Sequence, residues 1–213
     1  MVIQIGRILN KEVNDTSPHF FYVNHKLDDI LNKSEYLDYL KKKGLIYPKD
    51  SFHQLLQRVT RFVFCPNRKI RTQVRSFVNK RGNKSMVGVQ LRFGGKLANS
   101  YEPYTFLLPK KIPHIKQIIS QQINPNTFVY VCSDSSLVID EIREYTNNSI
   151  WFMNQYSPGH SNRRDINYYA GAVFDISMLS FSNRLLFTNS SSFGGLSCLL
   201  SRAKCSILGN GNL

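Results

Sequence analysis

Thr127-Phe-Val-Tyr-Val-Cys-Ser-Asp-Ser-Ser-Leu-Val-Ile-Asp-Glu-Ile-Arg-Glu-Tyr145 is the stretch on which the fold turns. Residues 127–132 are β-rich and read as a strand, and residues 135–145 read as a helix. The same alternation continues outward in both directions. Upstream, residues 86–93 form a short apolar run of strand length. Residues 112–123 come next, with Ile115, Ile118 and Ile119 on one helical face. Downstream, strands at 149–153, 185–188 and 205–208 alternate with helices at 166–180 and 193–202. Strict strand–helix alternation predicts an α/β fold, a parallel doubly wound sheet spanning residues 86–213. Helical connections of this length favour right-handed crossovers.

Residues 1–85 carry a different pattern. Leu27, Ile30, Leu31, Leu37 and Leu40 recur at helical spacing before Gly44. Phe52, Leu55, Leu56, Val59, Phe62 and Val63 form a second stripe that Pro66 ends, and Ile70, Val74, Phe77 and Val78 form a third. This helical segment is read as the remnant or edge of a neighbouring domain. The sequence stops directly after a strand, at Gly209-Asn-Gly-Asn-Leu213, which predicts that it is part of a longer protein.

With 213 residues, 42% of them apolar and 12% aromatic, the chain can bury a core and is not intrinsically disordered. Lys and Arg number 28 against 14 Asp and Glu, for a formal charge of +14. No acid occurs between Ser51 and Tyr101. The partner is therefore anionic: nucleic acid, acidic lipid or a phosphorylated small molecule. No apolar run approaches the ~18 residues of a membrane span, and the N-terminus lacks the pattern of a signal peptide. Asn14, Asn32, Asn83, Asn147 and Asn189 fit the glycosylation pattern, as chance alone allows in an Asn- and Ser-rich chain. Cys65, Cys132, Cys198 and Cys205 show no paired spacing. Buried thiols are expected rather than zinc or a disulfide.

In open α/β sheets ligands bind beyond the carboxyl ends of the strands. Arg92 and Gly94-Gly95 follow the first predicted strand, Ser133-Asp134-Ser135-Ser136 the second and Asn154 the third. Asn189-Ser-Ser-Ser-Phe-Gly-Gly195 follows the fourth. This set suits a phosphate-bearing nucleotide. Arg92 offers a charged planar fork. Ser190, Ser191 and Ser192 open a helix whose free amides and dipole favour phosphate, with Gly194 and Gly195 permitting close backbone approach. Asp134 can accept from sugar hydroxyls. The ordinary alternative is that Ser133-Asp134-Ser135 and Ser191-Ser192 simply cap helices. No Gly-x-Gly-x-x-Gly turn and no Gly-x-x-x-x-Gly-Lys-Ser/Thr loop is present, which argues against a dinucleotide site and a P-loop.

Three ordered segments resemble a known family. Val87-Gly-Val-Gln-Leu-Arg-Phe93 resembles the first motif of fucosyltransferases that use GDP-fucose. Phe128-Val-Tyr-Val-Cys-Ser-Asp-Ser135 resembles the second. Ala172-Val-Phe-Asp-Ile-Ser-Met-Leu-Ser180, continuing through Leu185-Leu-Phe-Thr-Asn-Ser-Ser-Ser-Phe-Gly194, resembles the third. The similarity is closest to the plant xyloglucan type and more distant to the α-1,6 and bacterial Nod-factor enzymes. It covers roughly residues 50–210.

The resemblance implies a GT-B fold with the donor held by the Rossmann-like half, and inverting transfer without a metal. By position, Arg92 would hold the donor β-phosphate, and Asp175 stands where a carboxylate reads guanine. Asp134 would lie near ribose or fucose, and Ser191, Ser192 and Phe193 in a phosphate-contacting loop. The ordinary alternative for Asp175 is a polar residue on the exposed side of its helix. The α-1,6 and bacterial families carry His at the position of Gln90 and a second Arg at Phe93; the plant type requires neither. Glu102, the only carboxylate soon after Arg92, is the candidate base, although its offset departs from the family's. The family also implies a Golgi anchor and an acceptor-binding half.

The preferred reading is the donor-binding half of a fucosyltransferase acting on a glycan acceptor, with no nucleic acid as partner. The alternatives are a glycosyltransferase using another nucleotide sugar, a basic nucleic-acid-binding protein resting on the acid-free stretch, and an inactive paralogue.

Overall fold

A computed structural model describes residues 64–94, 106–152, 166–189 and 191–209, with scattered positions between 38 and 61. The first two apolar stripes, Gly95, Glu102, Asn154 and Ser190 lie outside the described residues. The chain divides into two compact units, Met1–Cys65 and Pro66–Leu213.

The second unit opens with α1 (Arg68–Lys80), whose N-cap Asn67 accepts the Ile70 amide at 2.9 Å. Next come β1 (Ser85–Leu91), α2 (Ile112–Ser120), β2 (Thr127–Ser133) and α3 (Ser136–Tyr145). The remaining elements are α4 (Ile166–Leu179), β3 (Arg184–Thr188), α5 (Ser192–Leu200) and β4 (Lys204–Leu208). The strands form one parallel sheet in the order β2-β1-β3-β4. The predicted α/β parallel sheet is therefore present. Ile70 and Val74 of α1 pack into the core on one face of the sheet, within the unit that starts at Pro66.

Period-two alternation along β1 divides that core. Val87, Val89 and Leu91 join Val129, Val131 and Leu186 beneath Ile112, Ile115 and Ile119 of α2 and Val138 and Ile142 of α3. Met86, Phe128, Tyr130 and Leu185 face α1 and α4, meeting Val74, Phe174 and Met178. Gly88 lies on this second face. A Cβ there would come within 2.8 Å of the Leu179 side chain, so glycine is what lets α4 sit close to the sheet.

Two expectations need correction. The strand predicted at 149–153 is, among the described residues, a single bridge. Val131 N–H donates to the Trp151 carbonyl and Trp151 N–H to that of Val129, each at 2.8 Å. Cys198 and Cys205 are not thiols but a disulfide, with Cα atoms 6.2 Å apart. The tight connection from α5 to β4 folds the helix end back beside the strand. Cys65 and Cys132 remain free, the latter buried.

Candidate functional site

Chain order reverses about β1: β2 lies on one side and β3 on the other. The crevice between the carboxyl ends of β1 and β3 is thus the topological switch point, the place where open α/β sheets hold ligands. Arg92 follows β1 there, and Ser191 with the first turn of α5 follows β3.

The two strand ends are stitched by a buried threonine. Thr188 Oγ1 accepts the Arg92 N–H at 2.9 Å and donates to the Gln90 carbonyl at 3.2 Å. Gln90 Oε1 in turn accepts the Thr188 N–H at 3.3 Å. The Arg92 carbonyl accepts from Leu107 N–H at 3.0 Å. Its guanidinium lies over the Phe106 ring, 4.8 Å from the centroid, a cation–π arrangement that narrows the rotamers it samples.

Asp134, just past β2, points back at this loop. Its Oδ1 accepts the Phe93 N–H and its Oδ2 the Gly94 N–H, both at 2.9 Å. Gly94 has φ +64°, a left-handed conformation in which glycine is unstrained. Asp134 therefore does not cap α3. The residue at that N-cap is Ser135, whose side chain makes no capping bond.

Ser191 is buried and does cap α5: its Oγ accepts the Gly194 N–H at 3.3 Å. The Ser192 and Phe193 amides, first in the helix, have no intrahelical acceptor and lend the terminus its positive end. Ser192 is exposed. Phe193 packs against the core cluster beneath α4 and α1 rather than standing free. The two glycines differ. A Cβ on Gly194 would come within 2.7 Å of the Phe187 Cβ, so this glycine serves helix–sheet packing, whereas Gly195 faces open space.

Asp175 is not on the exposed side of its helix. It is partly buried, and Tyr130, wholly buried in β2, donates its hydroxyl to Asp175 Oδ1 at 2.5 Å. Burial raises the Asp175 carboxyl to about 7, against the lowering effect of the Tyr130 bond. The buried Cys132 thiol is pushed up by burial first, then by the negative charges of Asp175 and Asp134. Burial, and then Asp175, push the Tyr130 phenol well above its ordinary value. Both carboxylates thus act on the carboxyl half of β2.

The structure brings Arg92, Asp134 and Ser191 to one sheet edge. Thr188, Gln90 and Phe106 neighbour Arg92, and Tyr130 neighbours Asp175; sequence reasoning gave none of them a place there. Gln90, a polar residue inside a buried apolar strand, was the one visible signal. Gln90 and Phe93 are both buried. Among the described residues no group of His, Cys, Asp or Glu is arranged to hold a metal. No described helix is long and apolar enough to cross a membrane.

No protein-family model matches the sequence, and no curated protein matches it. Solved structures do. The α-1,6-fucosyltransferase NodZ soaked with GDP-fucose superposes with a TM-score of 0.51 at 15% identity, covering 84% of this chain and 63% of that one. A point mutant of Arabidopsis thaliana FUT1 in complex with GDP gives 0.53 at 14%, covering 85% and 41%. This chain therefore spans less than two thirds of either protein. By fold it is an α/β protein similar to the GT-B fucosyltransferases.

Proposed function

We propose that this chain is the donor-binding part of a glycosyltransferase that moves fucose from GDP-fucose to a glycan hydroxyl with inversion. The observation that carries the reading is Arg92, fixed at the switch point beside the N-terminus of α5. A planar cation and a helix terminus together suit a diphosphate. The resemblance of the three motifs to GDP-fucose enzymes narrows the nucleotide to GDP.

In the proposed reaction the acceptor oxygen attacks the anomeric carbon in line. The bond from that carbon to the diphosphate oxygen breaks, and GDP leaves with the electron pair. Arg92 and the first amides of α5 stabilise the charge developing on the leaving group. Glu102 is the proposed base for the acceptor proton. The second carboxylate oxygen of Asp175, Oδ2, is proposed to accept from the guanine edge. Ser192 lies beside the phosphates. No metal takes part. A secretory-pathway location agrees with the Cys198–Cys205 disulfide, which persists in oxidising compartments.

Calorimetry with GDP, UDP and ADP tests the reading. GDP should bind tightest. Arg92→Lys should weaken it nearly as much as Arg92→Ala, by roughly 10- to 150-fold for a charge-assisted contact of 1.5–3 kcal/mol. Equal affinity for the three nucleotides, or an Arg92→Ala variant that binds GDP as well as wild type, would remove the donor assignment.

A further inference from the structure

Arg92 is the residue on which the proposed donor site depends, yet its side chain alone does not explain its placement. An arginine side chain carries about 2 kcal/mol of rotamer entropy, and the strand ladder that fixes the backbone of this one ends at Leu91. Beyond Leu91 the backbone is held by a clamp. Three consecutive amides, those of Arg92, Phe93 and Gly94, each donate to a side chain: one to Thr188 and two to Asp134. Leu107 fixes the Arg92 carbonyl from the other side.

We infer that Asp134 and Thr188 are positioning residues: they hold the Arg92 loop in shape and act on the donor through Arg92 rather than by touching it. This rests on the donor reading above. Both Asp134 oxygens are engaged by backbone. A carboxylate facing a diphosphate would oppose it. One turned onto two amides has its charge balanced locally and stiffens the loop that carries the cation. Thr188 closes the same loop from β3, and its hydroxyl must both accept and donate, which valine cannot do. Preorganisation of this kind lowers the ordering cost of binding.

A double-mutant cycle separates this role from direct contact. GDP affinity is measured by calorimetry for wild type, Arg92→Ala, Asp134→Asn and the double variant. Asp134→Asn keeps the volume but turns an amide NH2 toward one of the two backbone donors. It should weaken GDP binding at least about fivefold when Arg92 is present, and by less than about twofold when Arg92 is Ala, a coupling of at least about 0.5 kcal/mol. Equal fold-losses in both backgrounds would overturn the inference in favour of direct contact.

Thr188→Val should behave as Asp134→Asn does, and Thr188→Ser should restore wild-type affinity. If Val and Ser bind alike, the clamp reading is wrong. Amide exchange at Phe93 and Gly94 without nucleotide gives an independent measure. Protection should fall about tenfold or more in Asp134→Asn; unchanged protection would refute the clamp. If wild type binds no GDP, the donor reading fails, and the exchange measurement still decides the clamp.

Discussion

Replacing Asp175 by asparagine should stabilise the protein at neutral pH and leave it little changed in acid. The carboxyl titrates near 3.8 when exposed, as in the unfolded chain, and at about 7 in the folded one. Between those values the native state holds a proton that the unfolded chain has lost. Stability from this group is thus fully present below pH 4, falls as pH rises through 7, and is flat above. The difference amounts to roughly 4 kcal/mol at about 1.4 kcal/mol per pH unit. Asparagine keeps an oxygen to accept the Tyr130 hydroxyl but never ionises. The variant should therefore gain on wild type by up to that amount between pH 4 and pH 8. Urea denaturation of both proteins across that range measures it, and carboxyl NMR locates the titration directly. Parallel stability–pH curves would refute the reasoning, because every other carboxylate is common to both proteins. A Tyr130→Phe variant should titrate higher still, since the bond that lowers the value is gone.

Three further outcomes are expected. Gly194→Ala should destabilise by about 1–3 kcal/mol in thermal or urea unfolding, because its Cβ meets Phe187 on the helix–sheet contact. Gly195→Ala, in open space, should instead raise the melting temperature through a helix-propensity gain of up to ~1 kcal/mol, and a loss there would refute the open surroundings of this position. Cys205→Ser should cost roughly 2 kcal/mol under non-reducing conditions and nothing once wild type is reduced, since the Cys198–Cys205 link closes a short loop.

The sheet was legible because its first two strands are buried on both faces. Val87–Leu91, apolar but for Gln90, and Phe128–Cys132 are buried throughout, the pattern of a parallel strand covered on both faces. Trp151 shows the limit: the run around it has a strand's composition, but among its described residues only Trp151 pairs with β2. At the site, Arg92 and Ser191 could be placed from their positions after strands. So could Asp134, but what Asp134 and Asp175 bond to could not be. Their partners are Phe93, Gly94 and Tyr130, which lie 40 to 45 positions away in the chain, and no local spacing encodes such pairs. The disulfide escaped because Cys198 and Cys205 belong to a helix and a strand whose relative direction is set by the turn between them.

The Thr188 stitch has a consequence for how the molecule comes into being. Its bonds to Gln90 and Arg92 join residues 96 and 98 positions apart, more than twice the separation that Asp134 bridges. Contacts that close such long loops must overcome more chain entropy and form late. A nascent chain that has paired β1 with β2 already has Asp134 at the Arg92 loop, but Thr188 is missing until β3 docks. Ligand competence then arrives as one of the last events of folding, and a chain halted before residue 188 is blank at this site however well its first two strands have paired.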